Sequence, residues 1–387
     1  MSERIEETLG KGQYMSSKLC VCEAIRDEVK GFSPYTAGKS IDEVKQAYGL
    51  DTIIKLASNE NPLGTSPRVQ DAIKLYADYA FRYGQVGTPN LISAIAQHFH
   101  IHEDSIVTGN GSDEVIDMLI RVKATPGKSN IVAFDPCFSM YQVLSNLCAV
   151  EFRQAQLKTD FTFDWDALLN LVDDNTSIVF ITTPDNPSGY APPVEEILSL
   201  HSKLPESCLL VVDEAYMDFA EDLETYSMLP RLAEYENICV LRTFSKCFGL
   251  AGLRLGFGAM HPNLAEYLRR IRAPFSVNVL AEQAGIAVLS DTPFIEETLR
   301  VTREGREYLT NELRALDFTV YPSLANFIMV EAPVDGSYLN EELLKRGLII
   351  RPLVKGYNLP KHLRITIGTA HENQVLISAL KEILNAE

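Results

Sequence analysis

Apolar, β-branched runs recur through the middle of the chain at SIVTG (105–109), NIVAF (130–134), SIVFITT (177–183), CLLVVDEAY (208–216), ICVLRTF (238–244) and LGFGAM (255–260). They lack the strict alternation of a half-exposed strand, so they predict strands buried on both faces, as in a mostly parallel sheet covered by helices. Helix-period segments between them, such as DEVIDMLIRVKA (113–124) and VEEILSLHSKL (194–204), are the crossovers that such a sheet needs. After residue 285 the pattern changes to a long charged helix, TPFIEETLRVTREGREYLTNELRAL, then to short strands FTVYP, NFIMVEA and LRITIG, and to a last helix after His371. The pattern therefore predicts an α/β fold with a large domain over 60–285. A smaller α+β domain is expected from 286–387 together with 1–59, whose Gly-, Pro- and Asn-rich segments KGFSPYTAG and IIKLASNENPLG would pack onto the C-terminal unit.

Composition narrows the partners. The chain has 387 residues, 46% of them hydrophobic, which is ample for a buried core. Its 35 basic and 52 acidic residues leave a net charge of −17, which repels nucleic acid and anionic lipid, so neither is an expected partner. An anionic ligand must then be held by locally placed arginines. The first residues carry mixed charge without a signal-type apolar core, and no apolar run approaches membrane-spanning length, which predicts a cytoplasmic location. The seven cysteines are odd in number and mostly lie in apolar runs, as suits reduced thiols. Cys20 and Cys22 have no second pair for zinc. His98, His100 and His102 alternate in QHFHIHED without a carboxylate-spaced partner, and no metal is expected.

The chemistry is concentrated around a lysine. Lys246 lies in RTFSKCFGLAGLRLGF, an apolar, glycine-rich stretch with Ser245 beside it and Arg254 further on. Such a lysine is set up to form an imine beside a bound phosphate, which describes a pyridoxal-phosphate (PLP) site. That cofactor supplies the electron sink and asks a small set of services from the protein. Lys246 would act as general acid and base, because a cationic or apolar pocket disfavours its ammonium form. Asp213, at the end of an apolar strand, could pair with the pyridine nitrogen, although a strand-end cap is its plainer role. Tyr216 and Asn186 could bond the ring's phenolate oxygen. The glycine turn of TGNGSDEVIDML leads into a helix at Gly111, Ser112 and Asp113, where unpaired N–H groups favour an anion, with Ser245 and Arg254 completing the clamp. Phe138 could offer an aromatic face to the ring.

These motifs resemble the fold-type I PLP-dependent aminotransferases over residues 30 to 385, through GNGSDE, TPDNPSG, VVDEAY, RTFSK with Arg254, and LRITIGT. The resemblance implies a large domain with a mostly parallel seven-stranded sheet plus a smaller α+β domain. Within that superfamily, SPY (33–35), SNENPLG (58–64), RYG (82–84), FSMY (138–141), IIRPL and HLRITIGT are most similar to the histidinol-phosphate aminotransferase family. By this resemblance Lys246, Asp213 and Tyr216 are catalytic, and Gly111, Ser112, Asp113, Phe138, Asn186, Ser245 and Arg254 also hold PLP. Tyr83 is similar to the tyrosine that reaches the partner subunit's phosphate, which implies a homodimer. Arg364, Arg351, Tyr35 and Asn61 resemble the substrate contacts.

The family reaction exchanges an amino group between L-histidinol phosphate and 2-oxoglutarate, giving imidazole-acetol phosphate and glutamate, within histidine biosynthesis. One site must then take a phosphate and a carboxylate in turn, which guanidinium forks can do. Departures from the family pattern are Asp185 for Asn and Ser188 for Thr in TPDNPSG, Gly84 for Pro, and Cys137 for Thr. Aromatic amino-acid transamination and threonine-phosphate decarboxylation remain open on this fold. A PLP-sensing transcription regulator would need a basic DNA-binding segment ahead of the fold, and the first thirty residues are too short and not basic enough.

Overall fold

Seven strands form the main sheet: β1 (Ile106–Asn110), β2 (Asn130–Asp135), β3 (Glu151–Gln156), β4 (Thr176–Thr182), β5 (Leu209–Asp213), β6 (Ile238–Thr243) and β7 (Leu255–Met260). The computed structural model describes residues 21–31, 39–354 and 356–385. Two units are present, Met1–Thr36 and Ala37–Glu387. In the first, the described residues form a 3₁₀ turn, Val21–Ala24, and one helical turn, Asp27–Lys30. All that follows concerns the second.

The order across the sheet is β1-β7-β6-β5-β4-β2-β3, with β7 antiparallel to both neighbours and the other contacts parallel. Both faces are buried, and the two-residue period of a strand divides its side chains between two cores. Val132, Phe134, Leu210, Val212 and Val240 enter one, against helices Pro89–Phe99, Val194–His201 and Val279–Leu289. Ile131, Ala133, Leu209, Val211, Cys239 and Leu241 enter the other, against Ser112–Lys123, Met140–Leu147 and Pro262–Ile271. This is why the strands read as continuous apolar runs. The seventh strand, β3, escaped that criterion: EFRQAQ is an edge strand whose polar side chains are mostly left partly or fully exposed.

A second sheet is antiparallel, in the order Arg351–Pro352, His362–Thr366, Phe327–Glu331, Thr319–Val320. Its core takes Leu363, Ile365, Ile328 and Val330 with Leu309 and Leu313 of the helix Thr292–Arg314 and Leu376 and Leu380 of Ala370–Asn385. Alternation places Arg364 on the opposite face from Leu363 and Ile365. The short strand Ile54–Lys55 pairs in parallel with Leu348–Ile349, and Leu56 accepts a backbone bond from Thr366. Residues 56–61 are thereby tied to the second sheet before they run past the end of the first.

The strand ends Asn110, Asp135, Thr182, Asp213 and Thr243 share one edge of the main sheet, where β7 begins at Leu255 opposite Asn110. Glycine is required there by close approach. A Cβ at Gly256 would sit 2.4 Å from the Ser112 nitrogen and 2.8 Å from the Gly111 carbonyl carbon. Both are backbone atoms that cannot swing aside. Gly256→Ala should therefore destabilise the protein by about 2 kcal/mol in urea unfolding, whereas Gly252→Ala, with open space around its Cβ, should stay within about 0.5 kcal/mol of the parent. Equal effects of the two would contradict this account of the edge.

Candidate active site

Asp213 closes β5 and is almost fully buried. Its Oδ1 accepts the Ala215 N–H at 3.1 Å and its Oδ2 accepts the Tyr141 hydroxyl at 2.7 Å. Burial dominates and pushes the carboxyl up to about 6, against the pull of those two bonds. Tyr216, three residues on, is buried, and its oxygen accepts from Asn59 Nδ2 at 3.1 Å, which leaves the phenol proton free to donate. Burial raises its pKa, so it stays neutral.

Lys246 follows β6 by the short connection Phe244–Ser245. It is part-buried, and its Nζ donates to the Ser58 carbonyl at 3.1 Å and lies 5.6 Å from the Tyr216 ring centroid. Desolvation first, then the positive charge of Arg364, lowers it to about 8, while Glu60 opposes the shift. A lysine in this state is a usable base near neutral pH.

The helix Ser112–Lys123 begins after Gly111, whose φ of +78° opens its first turn. Arg254 precedes β7 in the left-handed region, φ +55°, and its Nη2 meets Asp113 Oδ2 at 3.1 Å. A Cβ at Gly111 would stand 2.7 Å from that same guanidinium nitrogen. Helix N–H groups and a guanidinium therefore converge on one small volume at the strand-end edge, a chemistry that fits a phosphate. Asp113 has its pKa raised by burial, with Arg254 and Lys246 pulling it down. Ser245 is buried, its N–H donating to Thr243 Oγ1 at 3.1 Å, and Phe138 sets its ring edge-on to Tyr141 at 5.6 Å.

Arg364 approaches from the second sheet. Its Nη1 donates to Asn186 Oδ1 at 2.6 Å and its Nη2 to the Ala57 carbonyl at 2.8 Å, above the Phe327 ring. Its Nε is buried without a partner. Because Asn186 spends its carbonyl on Arg364, its amide NH₂ remains as a donor. Arg351 stands opposite Arg364 on the neighbouring strand and is partly buried. The register sets both arginines on the same face of the second sheet. The residues fit PLP at one end and an anionic substrate group at the other.

Not every expected residue joins this cluster. The Asn61 side chain is occupied by the Cys247 carbonyl at 2.8 Å, Thr298 Oγ1 at 3.0 Å and the Leu63 N–H at 2.9 Å, so it fastens the strap rather than facing a substrate. Tyr83 is 82% exposed and stacks on Phe275 at 4.5 Å. Tyr35 lies outside the described residues. Asp185 is pushed up to about 6 by burial and accepts both the N–H and the hydroxyl of Ser188, so it closes the turn that carries Asn186. The alternating histidines have separate tasks: His98 packs against Phe99 and Phe248, His100 ends the helix Pro89–Phe99 and His102 caps the next turn. No group of three or more His, Cys, Asp or Glu side chains among the described residues is placed to hold a metal ion.

Three residues at the site have no prior signal of their own. Asn59 bonds Tyr216, Thr366 and Asn326 through its side chain and backbone. Tyr141 and Thr182 stand behind Asp213. SNENPLG and FSMY contain the first two, but only the fold reveals what they touch.

The profile of the class I and II aminotransferase family matches residues 51–380. A histidinol-phosphate aminotransferase of Oleidesulfovibrio alaskensis is 61% identical over 365 residues, covering 93% of this chain and 95% of that protein. One from Nitratidesulfovibrio vulgaris is 59% identical over 360 residues, covering 93% and 96%. The solved histidinol-phosphate aminotransferase of Sinorhizobium meliloti, in complex with pyridoxal-5′-phosphate, superposes with a TM-score of 0.84 at 25% identity, covering 93% of this chain and 97% of that one. With the mostly parallel seven-stranded sheet and its strand-end cluster, these similarities show that the chain belongs to the class I and II aminotransferases and, within them, to the histidinol-phosphate aminotransferase family.

Proposed function

We propose that this protein is a PLP-dependent aminotransferase that exchanges an amino group between L-histidinol phosphate and 2-oxoglutarate, in histidine biosynthesis. The observation that carries the reading is the meeting of Lys246, Asp213 and Arg364 at one buried edge, with Arg364 bonded to Asn186. Bound PLP supplies an aldehyde for the substrate amine and a ring that withdraws electrons from it.

The chain's residues do the rest. Asp213 would accept the ring N–H, while Tyr216 and the Asn186 amide would donate to the ring's phenolate oxygen. The N–H groups at Gly111, Ser112 and Asp113, with Ser245 and Arg254, would hold the phosphate, and Phe138 would offer its ring to the cofactor. Lys246 Nζ would take the proton from the substrate Cα and deliver it to the cofactor's aldehyde-derived carbon, a task suited to its lowered basicity. Arg364 and Arg351, with Tyr35, hold the substrate phosphate in one half-reaction and the carboxylate in the other.

In this reading residues 60–285 hold the cofactor, and 286–387, part of the smaller domain expected with 1–59, carry the arginines for the substrate. A homodimer completes the site. Its support is the exposed apolar stretch with Leu75, Phe81, Tyr83 and Val86, from which Tyr83 would reach the partner's phosphate. A cytoplasmic location rests on Cys137, Cys208, Cys239 and Cys247 being free thiols. No helix of the described residues is long and apolar enough to cross a membrane.

The test is to mix the purified, PLP-loaded protein separately with L-histidinol phosphate, L-phenylalanine and O-phospho-L-threonine and follow the cofactor's absorbance. Conversion by histidinol phosphate at far lower concentration than by phenylalanine is expected, and it should vanish in Lys246→Ala. Preference for phenylalanine, or CO₂ release from phosphothreonine, would reassign the substrate.

Arg364→Ala should lower kcat/KM in both half-reactions by roughly a hundredfold, the loss of charged hydrogen bonds; an effect on one half-reaction alone would refute the shared anion site. In the cofactor-free protein, Lys246 reacts with an aldehyde through its neutral amine. Because its pKa is lowered to about 8, capture should rise with pH and level off above about 8; a rise that continues toward the ordinary lysine range would show that the pocket does not activate it.

A further inference from the structure

Behind Asp213 lies a chain of hydrogen bonds to which the proposed function assigns no role. Tyr141 Oη is 2.7 Å from Asp213 Oδ2 and 2.8 Å from Thr182 Oγ1. A phenol has one proton, and an ionised carboxylate can only accept. Tyr141 must therefore donate to Asp213, and its remaining contact must be filled by Thr182 as donor. The bonds run in one direction, Thr182 to Tyr141 to Asp213, and each strengthens the next.

The surroundings hold this geometry. The Tyr141 ring is fully buried, stacked on Phe180 at 4.3 Å with an interplanar angle of 7°. Its backbone carbonyl accepts from Ser145 Oγ at 2.7 Å. Thr182 ends β4 directly beside Asp213, its partner in the sheet register.

We infer that Thr182 and Tyr141 form a directed hydrogen-bond relay that keeps Asp213 an acceptor, so that Tyr141 is a positioning residue for the transamination, an inference that rests on the proposed role of Asp213 at the ring nitrogen. The physical need is plain. A carboxylate this deeply buried is drawn toward its protonated form, in which it would compete with the ring nitrogen for the shared proton. The titratable groups that face it are Tyr141, from the helix Met140–Leu147, Asp113, from the helix Ser112–Lys123, Tyr216, just beyond β5, and Cys239, on β6. Of these, Asp113 raises the proton affinity of Asp213. The bonds from Tyr141 and the Ala215 N–H oppose it. With one bond on each oxygen, the carboxylate retains lone pairs for the ring N–H.

Tyr141→Phe keeps the stacked ring and removes only the relay. With PLP labelled with ¹⁵N at the ring nitrogen and bound to the protein, the nitrogen chemical shift reports where the shared proton resides. Loss of one hydrogen bond to a charged group should move the equilibrium roughly ten- to a hundredfold toward a ring nitrogen without its proton. Thr182→Val should move it the same way by less, and should add nothing in a Tyr141→Phe background. Should Tyr141→Phe not fold, Thr182→Val alone decides by the same shift. A parent-like ¹⁵N shift in the single variants, or additive effects in the double variant, would overturn the relay. Parent protein that binds no PLP would instead sink the proposed function, before the relay is tested.

Discussion

Desolvation at the strand-end edge is the constraint on which the rest depends. Covering both faces of the sheet with helices leaves its polar chemistry only the edge where the strands stop. There burial acts against charge of either sign: it raises Asp213 and lowers Lys246. Each therefore sits closer to neutrality than in water. Both shifts follow from one physical cause, with neighbouring arginines, carboxylates and hydroxyls setting how far each moves.

The second constraint is mechanical. Residues 56–61 are bonded to the second sheet at Leu56 and to Tyr216 through Asn59, and the Ser58 carbonyl receives Lys246. Arg364 adds a direct bridge to Asn186. Arg364 and the residues around Lys246 are thus linked by short hydrogen bonds rather than by a loose interface. On a chain of net charge −17, Arg364 and Arg254 place local positive charge beside Lys246.

Much of this was legible before the fold was known, for identifiable reasons. Six strands announced themselves because burial on both faces demands unbroken apolar runs. β3 did not, because an edge strand satisfies its backbone on one side and tolerates EFRQAQ. Lys246, Asp213, Asn186 and Arg254 stood out through residue type beside a strand end or a glycine turn. The histidine triplet showed the opposite case, since alternation in sequence across a helix end distributes side chains to unrelated tasks.

The linear order of residues determined the layered α/β architecture, the place of the lysine and its carboxylate partner, and the family, because periodicity and local turn chemistry act over a few neighbours. It did not determine that Asn59 rather than Asn61 meets Tyr216, that Arg364 reaches Asn186 across the two sheets, or that Thr182 and Tyr141 line up behind Asp213. Those contacts join residues 41 to 178 positions apart: Tyr141 to Thr182 spans 41, Tyr141 to Asp213 spans 72, Asn59 to Tyr216 spans 157 and Arg364 to Asn186 spans 178. Hydrogen-bond geometry at such separations depends on strand register and helix packing, which exist only once the chain has folded.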